Sequence, residues 1–506
     1  MSKLLTIAGH DPVHGAGITA DLATWAAMGL DGCSVVTALT VQNSQGLEQV
    51  APVNAQLVRD ALQAVLRDGE PAAIKVGMLG SVEVAREVNE FVAARRCPVV
   101  VDPVLSGSNG RRAYNANNAC WLTALWAVMK RADVITPNLP EAAVLLGLDE
   151  AQVGTRLSEL RALGRGAVVL KGGHGTGPLS EDWVFDGERC AVLAGPRWPA
   201  AAHGSGCVFS SVITGMLAQG WDVFEASCEA KLRVAAGIAQ ARAHGPGRPS
   251  THAAPPLSSE YLPRFHWSRV GGVLPPAALA FAPLAHGLGF YAVLPDADWI
   301  ERALSWGVRT LQLRIKHGSM GTSELRAQLR AAVRAAGEVP GAQLFINDHW
   351  RDAIELGAYG VHLGQEDIDS ANAAALQGAG LRLGLSSHTP LEMLRAHALR
   401  PSYVALGPVY PTTLKAMRHG PLGLARLRDW TARYQPAYPV VAIGGISLAR
   451  APQVLACGVD SVAVVSALTQ AADPRAAAEQ FMRLMPLGPA GAGAAADERT
   501  QGVACV

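Results

Sequence analysis

The stretch Gly360-Val-His-Leu-Gly-Gln-Glu-Asp367 is a short apolar run that ends in a glycine, an amide and two carboxylates. Eight apolar runs of this length follow one another in the second half of the chain, and helical patterns separate most of them. Successive strand–helix units of this number predict a (β/α)8 TIM barrel, whose active site lies at the carboxyl ends of its strands. The runs are residues 290–294, 308–313, 343–346, 360–363, 381–385, 403–406, 439–443 and 461–465.

The first half of the chain alternates in the same way. Short apolar runs between helical patterns predict a mostly parallel sheet covered by helices on both faces, a three-layer α/β domain. Two further runs, 183–185 and 191–193, flank an Asp-Gly pair and predict a β-hairpin. The strands predicted before the hairpin are residues 4–8, 34–39, 73–76, 99–101, 134–136 and 168–170.

A chain of 506 residues is too long for one core, so we expect at least two domains. The first is predicted at residues 1–250 and the barrel at residues 289–487. Residues 251–288, rich in Pro, Ala, His and Gly, are predicted to be a linker or cover without regular structure. The Gly/Ala-rich segment 488–506 is predicted to be a disordered tail.

The charge balance argues against two classes of partner. With 43 Lys and Arg against 42 Asp and Glu, the chain lacks the basic footprint of a protein that binds nucleic acid or an anionic membrane. No apolar run is long enough to span a bilayer, and the first residues read as a strand and not as a signal segment. The eight cysteines form no C-x-x-C pair, which suggests reduced thiols. We therefore expect a cytoplasmic enzyme acting on small molecules, and assembly with further copies of the chain stays open.

A first candidate site lies at His203-Gly204-Ser205-Gly206-Cys207, which precedes an apolar helical pattern. Backbone N–H groups at such a helix start suit a transferring phosphoryl group. The same position is predicted to lower the pKa of the Cys207 thiol, which would make it a base for an alcohol. A buried structural cysteine is the alternative.

Polar residues at other strand ends could complete this site. Asn138 and Glu141 could order Mg²⁺ and its waters around a nucleotide, although a helix cap explains them equally well. Asp102, at another strand end, could add its carboxylate to the group formed by Asn138 and Glu141. Lys171 could face the nucleotide phosphates, or could belong to an ordinary strand-end turn.

Several stretches of the first half resemble the hydroxymethylpyrimidine phosphate kinases of the ribokinase-like superfamily. They are Thr6-Ile-Ala-Gly-His-Asp-Pro, Gly15-Ala-Gly-Ile-Thr-Ala-Asp-Leu, Ser34-Val-Val-Thr-Ala-Leu-Thr-Val-Gln-Asn, Lys75-Val-Gly-Met, Val101-Asp-Pro-Val, Thr136-Pro-Asn-Leu-Pro-Glu-Ala and Lys171-Gly-Gly-His. The resemblance implies a ribokinase-like fold and ATP as co-substrate.

The same resemblance implies a role for each matching residue. Cys207 stands where most of the superfamily has a catalytic Asp, and residues 204–206 would form the anion hole. Asp21 and Lys171 would assist phosphoryl transfer, with Asn138 and Glu141 on the metal side. The pyrimidine pocket would be lined by Gly9, Gln42, Met78 and Val104. The chain departs from the family pattern at two places. His10 stands where the family usually has a small residue, and Val13-His14 stand where it has a glycine-rich flap. These departures leave open which substrates the pocket accepts and how the flap moves.

The barrel ends carry a second candidate site. Gln312, Arg314 and Lys316 alternate at the end of the second run, so their side chains point the same way. Two cations and an amide suggest a pyrophosphate clamp, with a solvated strand end as the alternative. Asp348 and Asp367 follow neighbouring runs and could share one Mg²⁺.

Small or polar residues end the later runs. They are Ser386, Thr412, Gly444-Gly445 and Ser466. Backbone N–H groups after the seventh and eighth strands of such barrels commonly hold a phosphate.

Residues 289–485 resemble thiamine phosphate synthase. The matching motifs are Gln-Leu-Arg-x-Lys, Ile-Asn-Asp, Gly-Val-His-Leu-Gly-Gln-Glu-Asp, Gly-Pro-Val-Tyr-Pro-Thr, Val-Ala-Ile-Gly-Gly-Ile and Ala-Val-Val-Ser-Ala. The resemblance implies that Asp348 and Asp367 bind Mg²⁺. It assigns the pyrophosphate to Arg314, Lys316, Asn347 and Lys415, the pyrimidine to Gln312 and Ser386, and the thiazole phosphate to Thr412, Gly445, Val465 and Ser466.

Two departures are seen in the barrel. Ile315 stands where Glu is common, and Leu414 replaces a second Thr, which would loosen phosphate binding slightly.

Together the two resemblances predict an enzyme that makes the pyrimidine diphosphate and then couples it to thiazole phosphate, giving thiamine phosphate. Two alternatives remain: the first domain could act mainly as a pyridoxal-type kinase, and the barrel could be a thiazole-phosphate-binding regulator or a tautomerase. The second is disfavoured because the carboxylates and cations of the clamp are present.

Overall fold

The computed structural model describes residues 3–106, 119–198, 202–243, 245–316, 318–412 and 420–488. The chain divides into two compact units, Met1–Leu257 with Tyr261–Pro276, and Ser258–Glu260 with Ala277–Val506. Among the described residues, no helix has both the length and the apolar character needed to cross a membrane. The predicted tail, from residue 489 onward, lies outside the described residues.

One sheet organises the first unit, and its strands are β1 (Leu4–His10), β2 (Gly32–Asn43), β3 (Gly46–Pro52), β4 (Ile74–Val76), β5 (Val99–Val101), β6 (Val134–Ile135), β7 (Ala167–Leu170), β8 (Leu179–Phe185), β9 (Cys190–Pro196) and β10 (Arg264–Ser268). Their order across the sheet is β10-β9-β8-β7-β6-β5-β4-β1-β2-β3. The strands from β2 to β7 along this order are parallel, and β3, β8, β9 and β10 add antiparallel edges. The predicted parallel strands and the β8–β9 hairpin are confirmed.

Helices cover both faces of this sheet. Leu5 and Ile7 of β1 belong to the core that packs under the helices on one face, whereas Leu4 packs against Trp25 on the other. The helices are α1 (Gly17–Ala27), α2 (Ala55–Arg67), α3 (Val82–Ala93), α4 (Ala119–Met129), α5 (Leu139–Leu146), α6 (Glu150–Val153), α7 (Leu157–Arg161), α8 (Ser205–Ala218) and α9 (Val223–Ala239). The predicted three-layer α/β architecture is confirmed.

Strand β10 corrects the prediction for residues 251–288. It pairs with β9 from Arg264 opposite Ala194 to Ser268 opposite Cys190, inside the segment predicted to lack regular structure. The pairing satisfies the open edge of β9 and buries Phe265, which is 4% exposed. Part of the predicted linker therefore belongs to the sheet of the first unit.

The second unit is a closed barrel of eight parallel strands, and each lies at a predicted run. They are β11 (Tyr291–Leu294), β12 (Thr310–Leu313), β13 (Gln343–Asn347), β14 (Gly360–Leu363), β15 (Arg382–Ser387), β16 (Tyr403–Leu406), β17 (Val440–Ile443) and β18 (Ser461–Val464). The (β/α)8 barrel is thereby confirmed.

Aromatic side chains fill the barrel interior. Tyr291, Phe345 and Tyr403 come from β11, β13 and β16 and pack against one another. Gly384 makes room for them, because a Cβ there would lie 2.1 Å from the ring of Tyr403. The surrounding helices are α10 (Ala297–Ser305), α11 (Thr322–Gly337), α12 (Trp350–Glu355), α13 (Ala373–Gly378), α14 (Pro390–Leu399), α15 (Gly423–Tyr434), α16 (Ala451–Leu455), α17 (Ser466–Thr469) and α18 (Pro474–Leu484). The interior is a packed core and leaves the strand ends for binding.

Candidate active sites

A cavity of about 1120 Å³ runs along the carboxyl ends of the parallel strands in the first unit. That volume is enough for two small molecules side by side. Its walls include the following residues predicted for this site: Gly9, Gln42, Met78, Asp102, Val104, Asn138, Glu141, Lys171, Gly204, Gly206 and Cys207. Asp21 is the predicted residue that does not line the cavity.

Asp21 instead lies behind the cavity wall in a buried ion pair. Its Oδ1 accepts from Lys75 Nζ at 2.5 Å and from Ser211 Oγ at 2.7 Å, and its Oδ2 accepts from Thr6 Oγ1 at 2.6 Å. Burial alone would lower the pKa of Lys75, but the charges of Asp21 and Asp102 raise it. Lys75 lines the cavity and therefore presents a charged ammonium to it, held in place by Asp21.

A second ion pair joins Lys171 to Asp102. Lys171 Nζ donates to Asp102 Oδ1 at 2.7 Å, and Thr136 Oγ1 donates to the same oxygen at 3.1 Å. A Cβ on Gly206 would lie 3.1 Å from Lys171 Nζ. The ammonium therefore lies directly over the glycine of the predicted anion hole, where it can meet a phosphoryl group.

Asn138 and Glu141 form a helix cap at the start of α5. Asn138 Oδ1 accepts from the Glu141 amide, and Glu141 Oε2 accepts from the Asn138 amide, both at 2.8 Å. This is the capping alternative of the sequence analysis, and it is observed. Burial raises the pKa of Glu141 to about 7, with Lys171 lowering it and Asp102 raising it further. A cation bound near Glu141 would therefore favour the ionised form of its carboxyl group.

The glycines before α8 bring two loops together. Gly204 has φ of 81°. A Cβ at this position would lie 1.7 Å from the carbonyl oxygen of Gly15. A glycine is required here both by the left-handed backbone and by the close approach.

The predicted lowering of the Cys207 pKa is wrong. Burial raises the pKa of the thiol to about 11, although Lys75 and the amide of Gly17 lower it in part. The position at a helix start was expected to stabilise the thiolate, but desolvation outweighs that effect. Cys207 is therefore a neutral thiol at pH 7.

Sequence reasoning assigned no role to Lys75 or to the pair Asp11–His203. His203 Nε2 lies 3.0 Å from Asp11 Oδ2, and both side chains are buried at the cavity wall. A lysine inside an apolar run was the available signal for Lys75.

Of the two departures, His10 lines the cavity, and His14 is exposed with φ of 59°. A glycine would adopt that backbone more easily.

In the barrel, a buried chain of hydrogen bonds connects the two residues predicted to meet the pyrimidine. Gln312 Nε2 donates to the Tyr291 hydroxyl at 3.1 Å, which lies 2.7 Å from the Tyr403 hydroxyl. His362 then lies 2.7 Å from that hydroxyl through Nδ1 and 2.8 Å from Ser386 Oγ through Nε2. Tyr291, Tyr403 and His362 were not predicted, because their partners are distant in sequence.

His362 is held neutral. Burial lowers its pKa to about 3, and the charge of Arg314 lowers it further. Because one ring nitrogen of a neutral imidazole donates and the other accepts, His362 can continue the hydrogen-bond chain from Tyr403 to Ser386. The chain thereby links the side chains of Gln312 and Ser386 through buried groups.

The carboxylates predicted for Mg²⁺ follow the neighbouring strands β13 and β14. Asn347 Nδ2 donates to Asp348 Oδ2 at 2.5 Å, and Asp348 has φ of 62°. The Asp367 amide donates to the Gly364 carbonyl at 3.2 Å. Within the described ranges no three His, Cys, Asp or Glu side chains form a metal cluster. Two carboxylates with oxygen ligands from a substrate fit Mg²⁺, which prefers such a mixed set.

The cations and small residues occupy the remaining strand ends. Arg314 is partly buried and Lys316 is exposed after β12, whereas Lys415 and Leu414 lie outside the described residues. Gly445 has φ of 66°, and a Cβ there would lie 2.8 Å from the Pro411 carbonyl oxygen. Thr412 follows β16 in the loop that approaches this glycine, and Val465 and Ser466 begin α17 after β18.

Each unit thus combines parallel strands with cations, glycines and carboxylates at their carboxyl ends. The fold and the sites define two fused α/β domains with sites suited to phosphorylated small molecules. Comparison with known proteins matches the phosphomethylpyrimidine kinase family over residues 11–252 and the thiamine monophosphate synthase family over residues 292–468. The barrel is 51% identical over 208 residues to thiamine-phosphate synthase from Neisseria meningitidis serogroup A, covering 41% of this chain and 98% of that protein. The chain belongs to the thiamine-phosphate synthase family.

Solved structures similar to the chain are also known. A phosphomethylpyrimidine kinase from Clostridium difficile is 33% identical, with 46% of this chain and 98% of that chain covered and a TM-score of 0.40. A pyridoxal kinase from Bacillus subtilis in complex with ADP is 32% identical, with 50% and 98% covered and a TM-score of 0.45. With a kinase domain of the phosphomethylpyrimidine type and a synthase barrel, the chain is a bifunctional enzyme of thiamine biosynthesis.

Proposed function

We propose that the first unit uses ATP to convert hydroxymethylpyrimidine and its monophosphate into the diphosphate. The barrel then couples the diphosphate to thiazole phosphate and releases thiamine phosphate and pyrophosphate. The observation that carries the proposal is the single cavity of the first unit, because eleven of the residues predicted for the kinase site line it. The seven cysteines that the structure describes form no disulfide with one another, which supports a cytoplasmic location.

In the kinase, the pyrimidine alcohol would bind against Gly9, Gln42 and Met78. The amides of residues 204–206 and the ammonium of Lys171 would stabilise the charge on the transferring phosphoryl group. Cys207 would contact the alcohol, and in its thiolate form, a small fraction of the molecules at pH 7, it would accept the proton of the alcohol. In a loose transition state the proton of the alcohol leaves late, so the alcohol itself needs little activation before the phosphoryl group is transferred. Asn138, Glu141 and Asp102 would lie on the metal side of the nucleotide.

In the synthase, Arg314, Lys316, Asn347 and Lys415 would bind the pyrophosphate group. Asp348 and Asp367 would hold Mg²⁺, which would neutralise charge on the departing pyrophosphate. The carbon–oxygen bond breaks with its electron pair leaving on pyrophosphate, and the thiazole nitrogen forms the new bond to carbon.

No side-chain nucleophile takes part in this step. Gln312 and Ser386 would fix the pyrimidine ring while its electrons support the cation. Thr412, Gly445, Val465 and Ser466 would hold the thiazole phosphate. Catalysis then consists of positioning and electrostatic stabilisation.

The proposal is tested by supplying the purified chain with hydroxymethylpyrimidine, thiazole phosphate, ATP and Mg²⁺ and measuring thiamine phosphate by mass spectrometry. Cys207→Ala should stop the reaction before the diphosphate, and added synthetic diphosphate should restore product. Asp348→Ala should accumulate the diphosphate, and added diphosphate should not help. Product formation that neither substitution reduces would contradict the proposed sites.

A further inference from the structure

Two aromatic rings stand at one end of the kinase cavity. Trp198 follows β9 and Tyr261 precedes β10, and their ring centroids lie 5.5 Å apart with 53° between the planes. Both side chains are partly exposed and line the cavity. Tyr261 lies beyond residue 252, where the match to the kinase family ends.

The sheet order shows which substrate this end can serve. The residues assigned to the pyrimidine lie on β1 and β2 or follow β4 and β5, on the side of β7 away from β9 and β10. Lys171 follows β7 in the middle of the cavity, and β9 and β10 form the opposite edge. Because the phosphoryl group passes over Lys171 and Gly206 between the two substrates, the nucleotide must occupy the side toward β9 and β10.

Neighbours of both rings are anchored by hydrogen bonds or by burial. Arg197, next to Trp198, donates to the carbonyl oxygens of Gly172, Gly173, Gly177 and Leu179 at 2.7–3.2 Å. Tyr261 is followed by the buried Leu262 and Pro263 and then by β10. A ring that is fixed before binding loses little conformational entropy when a ligand stacks on it.

Polar groups at the same end suit a heteroaromatic base. Trp198 Nε1 is buried and has no hydrogen-bond partner among the described residues. Lys231 Nζ lies 3.0 Å from Asp182 Oδ2 and donates to Ser180 Oγ at 2.9 Å, and all three residues line the cavity. A base with ring nitrogens would offer acceptors to this donor-rich wall, whereas a purely apolar group would not.

We propose that Trp198 and Tyr261 form the platform on which the purine base of ATP stacks. The segment that follows the family-matched region therefore completes the nucleotide site of the kinase and does not serve as a linker alone. This inference rests on the proposed kinase function and adds to it a specificity-determining residue from outside the matched domain.

The test measures the Michaelis constant for ATP in the full chain with Tyr261→Ala, Tyr261→Leu and Tyr261→Phe. Loss of the ring should raise this constant about tenfold, since base stacking on an aromatic side chain has an effect of that size. Tyr261→Phe keeps the ring and should stay within about twofold of the wild type. The constant for hydroxymethylpyrimidine and the synthase rate on added diphosphate should not change.

Two controls separate stacking from loss of structure. Inorganic tripolyphosphate lacks a base, so its inhibition of the kinase should be equal in all variants, whereas damage to the cavity would weaken it. Trp267→Ala removes another ring of β10 that does not line the cavity, and should leave the constant for ATP unchanged. If Tyr261→Ala and Tyr261→Leu bind ATP as the wild type does, the inference is overturned. If the wild type itself fails to phosphorylate the pyrimidine, the proposed function fails instead.

Discussion

At the scale of single residues, the kinase cavity depends on charges that are fully buried. Lys75 and Asp21 are 1% and 0% exposed and bond to each other at 2.5 Å. Removing one partner of such a pair leaves an uncompensated charge away from water, which is far more costly than losing an exposed pair. The sequence showed Lys75 as a charged residue in an apolar run but could not show its partner, because pairing across distant elements depends on the fold.

We predict that Lys75→Met lowers the free energy of unfolding of the first unit by about 3–5 kcal/mol, because Asp21 is left buried and charged. Arg59→Met is the matched control, since Arg59 pairs with Glu87 at the surface and is 49% exposed. It should cost at most about 1 kcal/mol. Chemical denaturation followed by circular dichroism measures both, and equal losses in the two variants would contradict the buried-pair account.

The raised pKa of Cys207 predicts the pH dependence of the kinase. Below a pKa of about 11 the thiolate fraction grows tenfold with each pH unit, so the rate of the wild type should climb from pH 7 to pH 9. A carboxylate is already ionised in this range, so Cys207→Asp should show a flat profile. Initial rates at saturating ATP provide the measurement. A wild-type rate that is level between pH 7 and pH 9 would show that the thiol is not the base.

At the scale of secondary structure, the prediction succeeded where burial leaves a clear pattern. Parallel strands such as β5, β7 and β16 are buried throughout and therefore appear as unbroken apolar runs. β3 and β10 were missed for opposite reasons. β3 is largely exposed and reads Gly-Leu-Glu-Gln-Val-Ala-Pro, without alternation, and β10 lies in a Pro-rich context that suggested a linker.

The barrel interior predicts a strong effect at one glycine of β15. Gly384→Ala would place a methyl group 2.1 Å from the ring of Tyr403 and should cost at least about 1–3 kcal/mol of stability. Gly378→Ala, at the end of α13, meets no atom within 4 Å and should be neutral or slightly stabilising. Thermal unfolding of the two variants gives the comparison. Equal melting temperatures would mean that the aromatic core can rearrange.

At the scale of the whole molecule, two sites that act in sequence share one chain. Which residues belong to each site could be predicted, because the carboxyl ends of parallel strands meet at one edge of a sheet. The predicted kinase residues that line the cavity lie together there. The hydrogen-bond chain through Tyr291, Tyr403 and His362 could not, because its members become neighbours only when the barrel closes. Fusion places one copy of each site in every molecule and so fixes the ratio of the two sites at one to one.

Complementation between inactive variants tests the central claim most directly. Cys207→Ala and Asp348→Ala are mixed in equal amounts and supplied with hydroxymethylpyrimidine, thiazole phosphate, ATP and Mg²⁺, and thiamine phosphate is followed over time. Neither variant alone should form product. The mixture should form it, because each variant retains the site that the other lacks. A mixture that stays inactive, although each variant keeps its unmutated activity in a separate assay, would contradict two independent sites joined by a freely exchanging diphosphate.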